Sequence, residues 1–492
     1  MKTPQNAPFD SEPDFASVPA LDRRSFLRQS MVIASGCTLC FEALGQSALA
    51  GSSSTTLISP GCRRSKVRVA KLYLGVPKAH WPTPKMDIDA ERKRYEAAFT
   101  SPEFADVEFS LNKLVTKKEE LEGLESTLRE ADGILLVHLS IGVASVIREI
   151  LKLGKPTMLF AAPYSGHEWA GFGALRNGPG GQNFECLLTS DLRQLAVAVC
   201  PFRALHHLRE AKLLNLTTSA VAAEFTKAVA EKFGTEIKIL ELPRVLAAYE
   251  AIDIRAAEKE ARRLIKGATK VVEPPREEIV KSCRLALAFE NILAEENATA
   301  LTVECYGSMY RKLPAFPCVG FVRLSDQGLA GICESDLASA MTFLLLQGLS
   351  GRPGFISDPT VDESKQVIIL AHCLGATRME GPEGPRAPYK LRTIMERQEG
   401  CVQQARMRVG QRVTQALLVG TDRLQYFTGE IIDSPDTERG CRTKMSVKVD
   451  GDIEKLWQNW SNGLHRVTCY GDLKPDLKRF CRFKNIQLVD EA

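Results

Sequence analysis

The stretch LAGICESDLASAMTFLLLQGLSGRPGFISDPTVDESKQVIILAHC, residues 329–373, carries the pattern that decides the fold. An apolar segment, residues 329–333, ends at Glu334; Asp336 is then a favourable helix-start residue, and an apolar helical run follows over residues 337–349. Short apolar strands that alternate with helices are typical of a parallel α/β sheet. The stretch therefore predicts an α/β domain in which polar side chains follow the strands.

Three predicted strands of this stretch end at side chains that can bind a metal. Residues 329–333 precede Glu334, residues 355–357 precede Asp358, and residues 367–371 precede His372. If the strands are parallel neighbours, their carboxyl ends share one edge of the sheet and the three side chains converge. Two carboxylates and an imidazole suit Mn²⁺, Mg²⁺ or Fe²⁺. Taken singly, each residue also has an ordinary structural interpretation, as a first-turn acid, a turn residue or a hydrogen-bonded histidine.

The rest of the chain divides into segments of different character. From residue 67 onwards, strands alternate with helices, which predicts two parallel-sheet α/β domains, residues 66–205 and residues 206–381. The second of these carries the proposed metal carboxylates. Beyond it, short alternating segments separated by glycines and charged turns predict a smaller β-rich C-terminal domain, residues 382–492. The predicted fold class is therefore α/β with a β-rich C-terminal domain.

Composition and motifs argue against several classes of protein. The formal net charge is only +4 over 492 residues, so nucleic acid is not the expected partner. Residues 171–181 contain five glycines but lack the G-x-G-x-x-G spacing, which favours a loop over a nucleotide site. Beyond the first fifty residues the cysteines stand singly, without a C-x-x-C pair, which disfavours zinc ribbons and thioredoxin-like sites.

The first fifty residues are typical of a twin-arginine export signal. Arg23 and Arg24 lie in the run DRRSFLR, an apolar stretch follows over residues 31–41, and residues 48–50 form a small-residue cleavage site. We expect residues 1–50 to be removed as a signal peptide and residues 51–65 to form a linker. The mature protein would then be periplasmic or otherwise extracytoplasmic, with no membrane anchor. The alternative is an N-terminal arm with a chance arginine pair.

Three motifs resemble the metal-binding core of L-fucose isomerase and its relatives. CESD at 333–336, the apolar helix with Thr342, and FISD at 355–358 resemble the part of that family in which a Glu and an Asp, 24 residues apart, bind manganese. Here 358 minus 334 gives the same 24 positions. NGLH at 462–465, followed by YGD at 470–472, resembles the segment with the family's third ligand, a histidine. Residues 132–134 and PYSGH at 163–167 resemble parts of its N-terminal domain.

The resemblance implies a metal-dependent aldose–ketose isomerase that acts on a sugar through an ene-diol intermediate. It implies a divalent metal, Mn²⁺, with Glu334, Asp358 and His465 as ligands. Glu334 and Asp358 would double as the acid/base pair. His372 would be a fourth ligand or a substrate contact, and His167 would contact sugar hydroxyls, across a subunit boundary in a homo-oligomer, unless it is a structural histidine.

Two other functions stay open at this point. A periplasmic sugar-binding or sensing protein could keep the same fold without turnover, and Leu464 stands where relatives often have a second histidine. An exported redox enzyme is the other alternative, because twin-arginine substrates often carry redox cofactors. No nucleotide, haem or iron–sulfur motif supports it.

Overall fold

A parallel sheet with its helices forms the first third of the described chain. The structure is a computed structural model that describes residues 65–221 and 223–492, so the predicted signal peptide and nearly all of the linker lie outside it. The first sheet has five parallel strands in the order β2-β1-β3-β4-β5. Its elements are β1 (Val67–Leu74), α1 (Ile88–Ala98), β2 (Val107–Val115), α2 (Glu125–Glu130), β3 (Gly133–His138), α3 (Ala144–Leu151), β4 (Thr157–Ala161), α4 (Phe172–Asn177), β5 (Phe184–Leu188), α5 (Gln194–Ala198) and α6 (Cys200–Glu210).

The central strands of this sheet are near-continuous apolar runs because helices cover both of its faces. Strand β3 is buried along its whole length, as expected where helices pack on both sides of a parallel sheet. The glycine-rich segment forms the helix α4 and two single 3₁₀ turns, Glu168–Gly171 and Gly181–Asn183, instead of the expected loop.

A second, four-stranded parallel sheet has the order β10-β9-β6-β7. Its segment of the chain contains β6 (Lys212–Leu216), α7 (Ala223–Phe233), β7 (Glu236–Leu240), α8 (Leu242–Ala251), α9 (Ile254–Gly267), β8 (Lys270–Val271), α10 (Arg276–Glu296), β9 (Ala300–Val303), α11 (Cys318–Asp326), β10 (Ala330–Cys333) and α12 (Leu337–Ser350). Strand β8 belongs to a separate three-stranded ribbon, β14-β13-β8.

The C-terminal part is a closed antiparallel barrel. Its strands run β15-β18-β11-β12-β17-β16, and a β15–β16 pairing closes the ring, while β19 adds to β16 from outside. Closure leaves no free strand edge in the ring. The elements are β11 (Phe355–Asp362), β12 (Val367–His372), β13 (Tyr389–Arg392), β14 (Val402–Ala405), β15 (Arg412–Val419), β16 (Arg423–Asp433), β17 (Thr443–Val449), α13 (Ile453–Asn459), β18 (Arg466–Tyr470), α14 (Lys474–Phe483) and β19 (Gln487–Asp490).

The fold class predicted from sequence is confirmed, but one topological expectation is wrong. Strands β11 and β12 are not parallel neighbours of β10; they pair antiparallel with each other inside the barrel. Only four residues, 363–366, join them, whereas a parallel connection needs a crossover of a dozen or more. Asp358 consequently lies within β11 and not beyond its end. The domain boundaries at 205/206 and 381/382 stay predictions.

Helix α12 connects the three parts of the described chain. It contacts α6 of the first part, β10 of the second sheet, and β15 and β18 of the barrel. Residues 339–349 of this helix are buried throughout, which matches its apolar character on every side. None of the described helices is long and apolar enough to cross a bilayer. The eleven cysteines in this part of the chain are all free thiols.

Candidate metal centre

The chain turns sharply where β10 meets α12. Glu334 and Ser335 follow the strand with φ angles of 65° and 57°, in the left-handed region that side chains other than glycine seldom adopt. Each such residue costs about 1–2 kcal/mol, and strain of this kind clusters at functional sites. Asp336 then caps α12, accepting a hydrogen bond from the Ser339 backbone N–H at 3.0 Å. Glu334 therefore lies in a strained turn between β10 and the capped start of α12.

The barrel presents three further polar side chains to Glu334. Strands β11 and β18 pair with Ser357 opposite Arg466, so the adjacent residues Asp358 and His465 also face each other. Asp358 in turn pairs with Ala371 of β12, which places His372 one residue further along the neighbouring strand. The centre thus lies between the carboxyl edge of the second sheet and the barrel.

Three of these side chains have the spacing of a metal site. One ligand atom each from Glu334, His372 and His465 lies within 4.8 Å of the others. The Glu334 carboxylate oxygens lie 3.8 Å from His372 Nε2 and 3.8 Å from His465 Nε2. An ion about 2.0–2.2 Å from each ligand atom would hold such atoms only slightly closer together. The three residues therefore fit a divalent cation with a small contraction.

Asp358 faces the same histidine nitrogen as Glu334. Its Oδ1 lies 3.4 Å from His465 Nε2 and is buried with no hydrogen-bond partner. A buried carboxylate oxygen without a partner is costly, and a cation at the centre would satisfy it. The structure thus brings together Glu334, Asp358, His465 and His372, all of which the sequence singled out; their roles stay predictions.

Asp336 orients His465, a role that sequence analysis missed. The Asp336 Oδ2 lies 3.2 Å from His465 Nδ1 and accepts a hydrogen bond from it. This contact leaves Nε2 unprotonated in the neutral ring and directed at Glu334 and Asp358, as in carboxylate–histidine–metal arrangements. The sequence assigned Asp336 only to the start of the helix. Its contact with His465 joins residues that are 129 positions apart, and only the three-dimensional structure reveals it.

Burial and neighbouring charges set the protonation of the centre. Burial raises the pKa of Glu334, as do Asp358 and Glu396, while His465 opposes the shift. Burial and then Glu396 likewise raise the pKa of Asp358. Burial lowers the pKa of His372 to about 3, so its ring is neutral. Burial also lowers the pKa of His465, but the hydrogen bond to Asp336 and the nearby carboxylates outweigh it and raise that pKa. Sequence analysis also missed Glu396.

The structure places His167 on the first sheet, outside this group of side chains. It follows β4, is exposed, and packs its ring against Trp81 with the centroids 4.8 Å apart. The adjacent Glu168 is fixed by His138 Nε2 at 2.8 Å and by the Gly142 N–H at 2.7 Å. His167 therefore lies on a loop held by these contacts and is not among the side chains that meet beside Glu334 within the chain.

A cleft opens beside Glu334. It has a volume of about 500 Å³. Its polar lining consists of Asn215, Thr217, Ser219, Glu304, Glu334, Ser335 and Asp336. Hydroxyl, amide and carboxylate groups of this kind can hydrogen-bond a polyhydroxylated ligand. Glu334 and Asp336 therefore border a cavity in which a small polar molecule fits.

The chain matches no known family profile, but it is similar to curated proteins of one name. The sulfoquinovose isomerase of Alkalicoccus urumqiensis is 24% identical over 210 residues, which cover 41% of this chain and 46% of the relative. That of Clostridium sp. (strain MSTE9) is 25% identical over 263 residues, 50% of this chain and 56% of the relative. That of Priestia megaterium is 25% identical over 109 residues, 22% and 24%.

The chain spans about half the length, or less, of these curated relatives. At 24–25% identity, what it shares with them is a likeness to proteins named as sugar isomerases.

Proposed function

We propose that this protein is a metal-dependent aldose–ketose isomerase that acts on a sugar through an ene-diol intermediate. The observation that carries the proposal is the meeting of Glu334, His372 and His465 within 4.8 Å, beside the unpartnered carboxylate oxygen of Asp358. The names of the similar proteins support the same reaction class. The resemblance of the CESD and FISD motifs to L-fucose isomerase supports it independently.

Glu334, Asp358 and His465 would hold the ion, with His372 as a fourth ligand or a substrate contact. This donor set is rich in carboxylate oxygen, which suits Mn²⁺ or a similar hard cation. When bound, the cation supplies Lewis-acid stabilisation of the negative charge that develops on the sugar oxygens. The Asp336–His465 hydrogen bond keeps the ligating nitrogen free of its proton.

The proton transfer falls to the two carboxylates. Isomerisation moves a proton between C1 and C2, so a base must remove it from one carbon and return it to the other. The side chains of Glu334 and Asp358 are each about one-third exposed, 34% and 33%, so both are open to a small molecule, and Glu334 also lines the cleft. His372 and His465 are only 5% and 11% exposed, which suits ligands and not a proton shuttle open to the substrate.

The remaining parts of the proposal concern export and the oligomeric state. We propose that Arg23 and Arg24 direct export to an extracytoplasmic compartment and that the mature protein forms a homo-oligomer. His167 would then act on the sugar from a neighbouring subunit, which its exposure beside Trp81 permits. Size-exclusion chromatography with light scattering tests the oligomer, and a monomer would remove this role for His167.

A sugar-binding protein without turnover is the competing proposal. It is favoured only by Leu464, 59% exposed, in place of a second histidine. One experiment separates the two functions: metal content by mass spectrometry, followed by a screen of aldoses for ketose formation. We expect about one divalent ion per chain and turnover that the double variant Glu334→Gln/Asp358→Asn abolishes. Metal-dependent sugar binding without any ketose would favour the binding protein, and unchanged metal content in the double variant would refute the site.

A further inference from the structure

The residues that follow three neighbouring strands form a row along the edge of the second sheet. Leu216 of β6 pairs with Val303 of β9, and Val303 pairs with Cys333 of β10. The next residues, Thr217, Glu304 and Glu334, therefore stand side by side. Adjacent strands lie about 4.8 Å apart, so Glu304 is one strand spacing from the metal-centre glutamate and Thr217 is two.

Glu304 is held rigidly at the middle of this row. Its carboxylate accepts hydrogen bonds from the hydroxyls of Thr217 and Ser308, and from the Ser219 hydroxyl at 2.8 Å. Burial opposes its ionisation, but the three hydroxyls outweigh burial and lower the pKa of Glu304. The carboxylate is thus a fixed negative charge on the wall of the cleft.

These hydrogen bonds also decide what the neighbouring hydroxyls can offer a ligand. A serine or threonine hydroxyl has one proton to donate and two lone pairs. The protons of Thr217, Ser219 and Ser308 are committed to Glu304. The hydroxyls can therefore only accept from a ligand. A sugar O–H can donate to them, whereas a sulfonate, phosphate or carboxylate group has no proton for this purpose at neutral pH.

The charge of the cleft also disfavours an anionic ligand. Among the described residues that line it, three carry carboxylates (Glu304, Glu334 and Asp336) and none is Lys, Arg or His. A divalent cation would offset the two carboxylates at the centre, but Glu304 lies a strand spacing beyond them. An anionic substituent at that position would face a like charge in a partly buried site, which disfavours its binding.

We propose that this cleft takes the distal, hydroxyl-bearing end of a neutral sugar and that Glu304 is the specificity-determining residue that rejects an anionic substituent there. This rests on the proposed function, because the sugar is taken to sit with O1 and O2 at the metal centre. Its far end then extends along the row, over Glu304 towards Thr217.

A matched pair of sugars tests the proposal. Glucose carries a hydroxyl at C6 and sulfoquinovose a sulfonate, on otherwise the same aldose. We expect the manganese-loaded protein to isomerise glucose-type neutral aldoses with kcat/KM about 100-fold above the sulfonated sugar, the size of a like-charge penalty of a few kcal/mol. Glu304→Gln should shrink that ratio at least about tenfold. Glu363→Gln, on the exposed β11–β12 turn, is the matched control and should leave it unchanged.

Binding calorimetry on the same proteins separates the two ideas. If no sugar is isomerised but the neutral sugars bind more tightly than sulfoquinovose, the proposed function fails and the charge selectivity stands. A wild-type protein that prefers sulfoquinovose, or a ratio that Glu304→Gln leaves unchanged, overturns the assignment of Glu304. If Glu304→Gln does not fold, the sugar preference of the wild-type protein and the variant Thr217→Val test the assignment instead. Thr217→Val keeps the charge of Glu304, so it should weaken the binding of neutral sugars while sulfoquinovose stays excluded.

Discussion

Asp336 performs two tasks with one carboxylate, and a single substitution separates them. Its Oδ1 caps α12 through the Ser339 N–H, while its Oδ2 accepts from the Ser339 hydroxyl at 2.7 Å and from His465 Nδ1 at 3.2 Å. Asparagine is as good a helix cap as aspartate. Asp336→Asn therefore keeps the cap but turns an N–H₂ group, a donor, towards the histidine.

The expected effect on the metal follows from the histidine tautomer. Facing a donor, Nδ1 must accept, so the proton of the neutral His465 ring moves to Nε2, the atom that faces Glu334 and Asp358. A protonated nitrogen cannot bind a metal. Loss of such an orienting carboxylate weakens metal binding about 10- to 100-fold, or about 1.4–2.7 kcal/mol. The free energy of unfolding of the metal-free protein should change by less than about 1 kcal/mol.

Metal titration calorimetry on the wild type and Asp336→Asn measures the effect, and nitrogen NMR of the His465 ring reports its tautomer. Asp253→Asn is the matched control, because Asp253 caps α9 through the Arg255 N–H at 2.9 Å and orients no histidine. That variant should bind metal like the wild type. Equal metal affinity in Asp336→Asn, with the protein folded, would refute the orienting role.

Three further predictions follow from other parts of the chain. His465→Ala should weaken metal binding sharply while changing stability modestly, as metal titration and chemical denaturation will measure; a surface residue would leave metal affinity alone. Burial lowers the pKa of His206, but the hydrogen bond to Asp132 at 2.8 Å outweighs it and raises that pKa to about 9. Since the folded pKa exceeds the unfolded value of 6.5, this stabilisation is complete below pH 6.5 and is lost as the pH rises through 9. Denaturation curves from pH 6 to 9.5 should show the loss, and His206→Gln should lessen it; an equal slope in that variant would contradict the assignment. Changing Arg23 and Arg24 to Lys should leave the protein in the cytoplasm with an uncleaved N-terminus, and processing near residue 50 in that variant would exclude the twin-arginine interpretation.

The features that the sequence predicts well are local. The strand before Glu334 and the helix start at Asp336 follow from an apolar run and a capping residue, and the structure has both. The pairing of β11 with β12 was predicted wrongly although the information was present: the nine residues, 358–366, between the two predicted strands are too few for a parallel crossover, which needs about a dozen or more. The polar residues at the ends of the predicted strands suggested a parallel sheet, and this pattern outweighed the length of the connection.

The long-range features needed either a family resemblance or the structure. Nothing in the periodicity of the chain links His465 to Glu334, and the resemblance of the NGLH motif alone supplied the connection. The register of β11 against β18 is what sets Asp358 opposite His465. Glu304 was not found, because a glutamate after a short strand carries no signal until the hydroxyls of Thr217 and Ser219, from a distant segment, are seen to join that of the nearby Ser308 on its carboxylate.

Helix α12 makes the chain poorly divisible. A helix that is apolar all round, and covered by the first part, the second sheet and the barrel together, has no face that any one part could leave in water. Recombination or truncation at the apparent domain borders would expose it and invite aggregation. Because Asp336 caps that same helix and contacts His465, the proposed metal ligands can reach their positions only when all three parts have assembled around the helix.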